Sequence, residues 1–362
     1  MDFPFKIPQS ASSYDDVALL SREKSTIGSR DDCDPAVEAF GQKFSLPIMS
    51  SPMPDVTGGR MAVTLAELGL LPVIHRFMSI DKQVKEFATV PARHQQRVAC
   101  AIGVSDDFFD RFIALHKAGC TLFCLDTANG HHSYVETAIS VLKAVTQDKI
   151  YFIAGNIATR EGYRYLANLG VDAVRVGIAG GSVCTTRIKT GIYHPMVTCL
   201  IEVVDERFSI ARERAVIAPN FDQVTDADRD LMIAAEYVHL PLIIADGGIR
   251  EPKDMCAAIA LGADFIMAGK IFAGTKETPG LIKRDGNKGR FKTYRGAASF
   301  GVQQEFHGTE PDYNEGEETL VPYKGPVVDV VDDFDAGIRS SMSYANARTL
   351  AQYRDHIEVI DI

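Results

Sequence analysis

The sequence of 362 residues lacks a long apolar run, an excess of positive charge and a regular cysteine framework. No stretch reaches membrane-spanning length, so a transmembrane helix is not predicted. A formal net charge of −10 disfavours nonspecific binding of nucleic acid or of an anionic membrane surface. The seven cysteines are odd in number and scattered, which indicates a reducing compartment. Since the first residues also lack the apolar segment of a signal peptide, we expect a cytoplasmic protein.

The chain alternates short β-branched runs with amphipathic helical segments. Eight apolar runs are typical of strands buried on both faces of a parallel sheet. They cover residues 46–51, 70–75, 97–103, 121–129, 150–156, 172–177, 240–247 and 264–269. Helical segments lie between most of them, and Ser105 and Ser133 are the predicted N-caps of two. The alternation predicts an α/β fold, a (β/α)8 TIM barrel, with a doubly wound open sheet as the alternative.

Three regions fall outside this repeat, and we expect all of residues 1–362 to form one catalytic domain. Residues 1–45 form an N-terminal extension, and residues 202–232 are a charged, helix-prone stretch before the seventh strand. Residues 275–326, after the eighth strand, are rich in loops and resemble the lids found at barrel mouths. The barrel is favoured because unusual polar residues and glycines follow the predicted strands, at the face where barrel enzymes have their active sites.

The most informative segment is the loop after the sixth predicted strand, where residues 177–187 read GIAGGSVCTTR. Glycines allow backbone N–H groups to approach an anion closely, so Gly180, Gly181 and Ser182 are predicted to bind a phosphate. A cysteine in such a donor-rich loop, Cys184, is predicted to be a low-pKa thiolate nucleophile. Together these features predict covalent chemistry on a phosphorylated ligand.

Neighbouring strand ends supply further candidates. Gly247, Gly248 and Gly269 would complete the phosphate site, and the preceding Asp246 has the position and the carboxylate to accept both hydroxyls of a ribose. Because all these strands would end at one mouth, we expect the residues to surround a single pocket. No metal site is predicted with certainty; a monovalent cation such as K⁺, held by carbonyl groups near Gly180, remains open.

Residues 176–191, ending in Cys-Thr-Thr-Arg-x-Lys-Thr-Gly, resemble the catalytic loop of the inosine monophosphate dehydrogenase / guanosine monophosphate reductase family, and the ending resembles the reductase branch. Further matches extend the resemblance over almost the whole chain. The regulatory modules that usually interrupt the dehydrogenase barrel after its second strand are missing, as in the reductases. The resemblance implies conversion of GMP and NADPH to IMP, ammonia and NADP⁺ by a homotetramer.

The resemblance also implies residue roles. Cys184 would attack C2 of the purine, and Thr186 with Glu315 would transfer protons. Substrate would be bound by Ser51, Met53, Gly180, Gly181, Ser182, Asp246, Gly247, Gly248, Gly269, Arg295 and Gly296. The nicotinamide cofactor, NADPH or alternatively NADH, would be bound by Asp126, Thr127, Ala128 and Asn156. Arg175 matches an inward-facing basic position, although a strand arginine can also simply neutralise a buried carboxylate.

Several positions depart from the family pattern. Pro54 replaces an aspartate after Met53, and Ala297-Ala298 removes a side chain expected near the base. The reductases' Arg-x-Ser before the lid Glu-Gly is Asp312-Tyr313-Asn314, so base recognition must differ. The dehydrogenases' Arg-Tyr pair is missing, which argues against hydrolysis of a covalent adduct. The alternatives are an inosine monophosphate dehydrogenase without regulatory modules and a purine-nucleotide-binding paralogue without catalysis.

Overall fold

The computed structural model describes residues 11–218, 221, 224–284, 289–308 and 314–362. In these ranges the strands are β1 (Val17–Ser21), β2 (Val37–Ala39), β3 (Gln42–Phe44), β4 (Ile48–Ser50), β5 (Leu71–Ile74), β6 (Ala99–Ile102), β7 (Leu122–Asp126), β8 (Tyr151–Ile157), β9 (Ala173–Val176), β10 (Leu242–Asp246), β11 (Phe265–Ala268), β12 (Lys283–Arg284), β13 (Arg290–Arg295), β14 (Glu318–Pro322) and β15 (Ile357–Asp361).

The α-helices in the same ranges are α1 (Gly59–Glu67), α2 (Ile80–Ala88), α3 (Ala92–Gln95), α4 (Phe108–Lys117), α5 (Ser133–Ala144), α6 (Arg160–Asn168), α7 (Thr186–Thr190), α8 (Met196–Val216), α9 (Asp226–Tyr237), α10 (Pro252–Ala260), α11 (Phe300–His307), α12 (Val327–Tyr344) and α13 (Leu350–His356). None of the helices in this described part is long and apolar enough to cross a membrane.

Strands β4 to β11 close into a parallel barrel in the order β10-β11-β4-β5-β6-β7-β8-β9. Each coincides with one of the eight apolar runs, seven of them shortened at both ends and β8 reaching one residue further, to Ile157. The (β/α)8 prediction is therefore confirmed and the open-sheet alternative is wrong. The barrel interior is packed with side chains, among them Met49, Phe265 and Met267, all at most 1% exposed. The β2–β3 hairpin closes the amino-terminal end, where Phe44 meets Phe265 edge-on with ring centroids 5.6 Å apart.

Two predicted helix caps are wrong. Ser105 is not the N-cap of α4, because Asp106 adopts a left-handed conformation (φ 55°) and the helix starts after Asp107. Ser133 is itself the first residue of α5, and the extended His132 caps it by accepting the backbone N–H of Tyr134 at 3.1 Å. The cap therefore lies later than predicted in α4, at Asp107, and earlier than predicted in α5, at His132.

The regions outside the repeat are also structured. In the N-terminal extension, β1 pairs antiparallel with β15. The helix-prone stretch lies on α8 and α9, and Thr225 and Asp228 form a capping box at the start of α9. Within the lid segment (residues 275–326), β12, β13 and β14 form an antiparallel sheet, and α11 lies between β13 and β14 in the sequence. The sequence indicated mainly loops in this segment. This sheet lies at the mouth of the barrel.

Candidate active site at the barrel mouth

A cavity of about 760 Å³ opens at the carboxyl ends of the barrel strands. Nearly all of the residues proposed from the sequence line it. They are Ser51, Met53, Asp126, Thr127, Ala128, Asn156, Gly180, Gly181, Ser182, Cys184, Thr186, Asp246, Gly247, Gly248, Gly269, Gly296 and Glu315. Residues that lie far apart in the sequence therefore share one pocket because parallel strands all end at the same face.

Arg295 is the exception. Its guanidinium turns away from the cavity and forms two hydrogen bonds with Asp55, at 2.8 and 2.9 Å, and one with Glu305 at 3.0 Å. In β13 successive side chains point to opposite faces of the strand. Tyr294 therefore lines the cavity, while Arg295 faces the barrel rim. Arg295 ties the lid sheet to the loop after β4, and its expected contact with substrate stays a prediction.

The cysteine loop and the Glu-Gly segment of the lid pair with each other. Cys184 and Gly316 form an antiparallel bridge, the N–H of Thr185 donates to the carbonyl of Glu315 at 2.9 Å, and the N–H of Glu317 donates to the carbonyl of Val183 at 2.9 Å. Glycine is required at Gly316, since a Cβ there would lie 2.6 Å from the backbone nitrogen of Ser299. The pairing fixes the two segments side by side.

This pairing aligns three side chains. Sγ of Cys184 lies 3.3 Å from Oγ1 of Thr186, which in turn donates a hydrogen bond to Oε2 of Glu315 at 2.5 Å. The other six cysteines are buried, whereas Cys184 is partly exposed to the cavity. A thiol, a hydroxyl and a carboxylate in sequence can pass a proton in either direction.

The glycines approach one another closely at one corner of the cavity. The N–H of Gly248 donates to the carbonyl of Gly180 at 3.0 Å, and a Cβ on Gly247 would lie 3.0 Å from the Gly180 carbonyl carbon. A Cβ on Gly269 would lie 2.9 Å from Sδ of Met53 and 3.0 Å from the hydroxyl of Tyr294. The corner is thus open because its residues have no side chains, as a close anion-binding site requires.

The carbonyl groups proposed for a monovalent cation already accept hydrogen bonds. Gly180 accepts from Gly248 as described, and Gly181 accepts from the N–H of Cys184 at 3.1 Å. Each carbonyl oxygen retains a second lone pair. A K⁺ site at this loop therefore stays a prediction. Among the described residues, three or more His, Cys, Asp or Glu side chains do not meet in a group that could hold a metal ion.

Arg175 connects two of the candidate carboxylates. Its Nη1 lies 2.8 Å from Oδ1 of Asp126, and its Nη2 lies 2.8 Å from Oδ2 of Asp246. The amide of Asn156 donates to the same oxygen of Asp246 at 2.8 Å. Arg175 is only 6% exposed, and a buried charge requires a partner of opposite sign. The two carboxylates balance it. The arginine thus neutralises the two partly buried carboxylates and also orients them at the cavity wall.

The cavity also contains residues that were absent from the sequence-based set. Tyr294 faces Gly269, and burial raises the pKa of its phenol to about 12, so it remains a hydrogen-bond donor at neutral pH. Arg76 follows β5; its buried Nε lies 3.5 Å from Oδ2 of Asp126 without a hydrogen bond. Gln303 lines the wall from α11. The position of Arg76 directly after an apolar run could have indicated it, because the other strand ends were recognised in that way.

The positions at which the departure from the family pattern predicts a different base recognition are described only in part. Ala297 and Ala298 line the cavity, whereas Asp312 and Tyr313 lie outside the described residues. Asn314 is described, and its side-chain oxygen accepts the N–H of Gly316 at 2.9 Å. Asn314 therefore shapes the turn that precedes the Glu-Gly pair.

Comparison with known proteins agrees with this site. A model of the "IMP dehydrogenase / GMP reductase domain" matches residues 11–219 and 209–362. The chain is 29% identical over 419 residues to an inosine-5'-monophosphate dehydrogenase of Borreliella burgdorferi, covering 99% of this chain and 96% of that protein. It is 36% identical to enzymes of the same name from Streptococcus pyogenes and Aquifex aeolicus, over 276 and 275 residues, or 73% and 74% of this chain. The matches span 50% of the length of these two relatives.

Proposed function

The chain belongs to the IMP dehydrogenase / GMP reductase family of oxidoreductases, and we propose that it is an NADPH-dependent GMP reductase, which converts GMP to IMP and ammonia. The observation that carries the proposal is the alignment of Cys184, Thr186 and Glu315 at 3.3 and 2.5 Å inside the cavity. It supplies a nucleophile for C2 of the purine together with a proton donor for the departing amine.

The cavity suits a purine nucleoside monophosphate. The 5'-phosphate would lie at the corner of Gly180–Ser182, Gly247, Gly248 and Gly269, with the hydroxyl of Tyr294 as an additional donor. Asp246, oriented by Arg175 and Asn156, would accept the ribose hydroxyls. These contacts would hold C2 beside Sγ of Cys184 before any bond is made, which lowers the entropic cost of the reaction.

The first half of the reaction requires no group other than side chains of this chain. The thiol of Cys184 transfers its proton through Thr186 to the carboxylate of Glu315, and the sulfur forms a bond to C2. The same proton returns through Thr186 to the 2-amino nitrogen, the C2–N bond breaks and ammonia leaves. Thiol hydrogen and amino group together make NH₃, so the step balances and leaves a C2–S thioimidate.

The residues near Asp126 suit a nicotinamide cofactor. Arg76 has an Nε donor without a hydrogen-bond partner among the described residues, beside a carboxylate, which fits the phosphates and ribose of a dinucleotide. When bound, NADPH would supply the hydride that C2 takes up. Asp126, Thr127, Ala128 and Asn156 would position its ribose and ring. Breakage of the C2–S bond then returns the electron pair to Cys184, which is reprotonated from solvent.

Two features favour reductive amine release over hydrolysis. The loop ends in Cys-Thr-Thr-Arg-x-Lys-Thr-Gly, with Lys189 at the position typical of the reductases. Residues 303–306 of α11 carry glutamine, glutamate and phenylalanine, so this helix offers no arginine at the position where the dehydrogenases keep a base to activate water.

The second candidate is oxidation of IMP by NAD⁺ and water to the 2-oxo nucleotide. It is favoured by the names of the relatives, all three of which are called inosine-5'-monophosphate dehydrogenase. The Thr186–Glu315 pair would then take a proton from water instead of giving one to the amine. A nucleotide-binding paralogue without catalysis would retain the phosphate corner but not the reaction.

Absorbance at the reduced-nicotinamide band separates these candidates. With GMP and NADPH, loss of absorbance together with one ammonia per NADPH is the result expected for a reductase. A gain of absorbance with IMP and NAD⁺, without any loss of absorbance with GMP and NADPH, would identify the protein as a dehydrogenase instead. GMP binding without either reaction would indicate the paralogue. Repeating the assay with NADH and with K⁺ or Na⁺ tests cofactor and cation preference, and light scattering tests the proposed homotetramer.

A further inference from the structure

One wall of the cavity has few side chains capable of reading a purine base. Gly296, Ala297, Ala298 and Gly316 line it with backbone, hydrogens or methyl groups only. A purine base exposes ring nitrogens and carbonyl groups that lose hydrogen bonds to water when the nucleotide enters. A site that leaves them unpaired loses affinity, whereas a matched polar group supplies both affinity and selectivity.

Gln303 is the polar side chain that α11 brings to this wall. Its amide nitrogen donates to the backbone carbonyl of Ala297 at 2.8 Å. Because a carbonyl accepts only from the NH₂ end of the amide, this bond fixes which end of Gln303 faces the backbone. The oxygen Oε1 then remains as an acceptor, and none of the described residues donates a hydrogen bond to it.

The wall is directly connected to the nucleophile. Gly316 forms one backbone bridge with Cys184 and another with Ser299, the residue that precedes α11. The small residues 296–298 and the amide of Gln303 thus lie beside the segment where the ring carbon attacked by Cys184 would be held. The purine atoms next to that carbon, C2, are N1 and N3, and in a 6-oxopurine only N1 carries a hydrogen.

We propose that Gln303 reads the base: its Oε1 accepts a hydrogen bond from N1–H of a 6-oxopurine nucleotide bound with C2 at Cys184. The inference rests on the proposed purine-nucleotide site but not on the direction of the reaction, since GMP and IMP both carry N1–H. AMP does not, because its N1 is itself an acceptor and would face Oε1 as a second acceptor. Gln303 is thus a specificity-determining residue that compensates for Ala297 and Ala298.

The test is equilibrium binding of GMP, IMP, AMP and ribose 5-phosphate, by calorimetry, to the full chain and to the variant Gln303→Met. Methionine keeps the length and the helix propensity but has no amide. We expect GMP and IMP to lose affinity by roughly tenfold, as for one hydrogen bond, while ribose 5-phosphate changes little and AMP, which no longer faces a second acceptor, binds no more weakly. Gln304→Met is the matched control, since the exposed Gln304 is the next residue of the same helix.

Three results would overturn the inference in different ways. Unchanged GMP and IMP affinity in Gln303→Met, with normal binding to the unaltered chain, would remove the role of Gln303 and leave the proposed function intact. An equal loss for ribose 5-phosphate would show that the variant disturbs the cavity instead of base recognition. Failure of the unaltered chain to bind either 6-oxopurine nucleotide would overturn the inference and the proposed function together.

Discussion

Oγ1 of Thr186 donates a hydrogen bond to Oε2 of Glu315 at 2.5 Å, although 129 positions separate the two residues in the sequence. Thr186 begins the short helix after the cysteine loop, and Glu315 belongs to the lid segment that pairs with that loop. Sγ of Cys184 lies 3.3 Å from the same hydroxyl, so in the proposed reaction the carboxylate of Glu315 would be the final acceptor of the thiol proton. In that reaction, deprotonation of the Cys184 thiol would also generate the acid that protonates the departing amine.

Glu315→Gln should remove the carboxylate that accepts the thiol proton and returns it to the amine. We expect kcat of GMP reduction to fall by about 10²- to 10⁴-fold, the range typical of a general acid–base group. Thr186→Val should lose activity similarly, whereas Thr186→Ser keeps the hydroxyl and should keep most of it. Stopped-flow absorbance of NADPH gives the rates, and the exposed Glu317→Gln is the control. A rate for Glu315→Gln within about twofold of the unaltered enzyme would disprove the relay.

Cys184 should be the first cysteine alkylated in the folded protein. The other six are buried, and burial raises the pKa of the Cys124 thiol to about 12 and of the Cys256 thiol to about 11. Iodoacetamide followed by peptide mass spectrometry should label residue 184 alone, and GMP should slow the labelling by occupying the cavity. Cys184→Ala should show neither labelling nor turnover. Wild-type turnover by Cys184→Ala would make covalent catalysis untenable.

The barrel was predictable because its strands are buried on both faces. Such strands read as continuous apolar runs, so the eight segments could be located without any knowledge of their pairing. A residue at the carboxyl end of a barrel strand lies at the mouth by topology alone, which explains why Asp126, Asn156 and Asp246 were found together. The sequence contained both the position and the side-chain chemistry of these residues.

The lid segment was harder to predict because its pattern is not that of a simple amphipathic sheet. In β13, Lys292 points inward, 3% exposed, and donates to the carbonyl of Thr278 at 2.6 Å. Burial lowers the pKa of this ammonium. A buried lysine cannot be distinguished from a surface lysine in a sequence. Nor does the sequence indicate that Arg295 pairs with Asp55. Long-range polar pairs of this kind require the folded structure.

Gly269 should tolerate no side chain at the proposed phosphate corner. In Gly269→Ala the new Cβ would lie 2.9 Å from Sδ of Met53 and 3.0 Å from the hydroxyl of Tyr294, so the end of the Met53 side chain must move and the contacts at this corner are disturbed. We expect GMP affinity to fall by roughly tenfold or more, the equivalent of one or two lost hydrogen bonds. Gly28→Ala is the control, because a Cβ there meets no atom within 4 Å. Equal GMP affinities, measured by calorimetry, would place the phosphate elsewhere.

We expect His75 to lower the stability of the folded protein at acidic pH. Burial lowers its pKa from 6.5 to about 3, with Lys82, Arg111 and Arg295 adding repulsion and Asp126 opposing it. Between these values the unfolded chain binds a proton that the folded chain does not. The free energy of unfolding should therefore decrease as the pH falls below 6.5, with a contribution from His75 of about 1.4 kcal/mol per pH unit.

His75→Asn removes the titrating ring but keeps an acceptor for the N–H of Phe77, which Nδ1 of His75 accepts at 3.2 Å. Urea unfolding at several pH values between about 6.5 and about 4 should show a shallower pH dependence for this variant, by up to about 1.4 kcal/mol per unit. His239→Asn, at an exposed histidine, should leave the slope unchanged. Identical slopes for His75→Asn and the unaltered chain would mean that His75 takes up its proton in the folded state, and that the packing after β5 opens to water at mildly acidic pH.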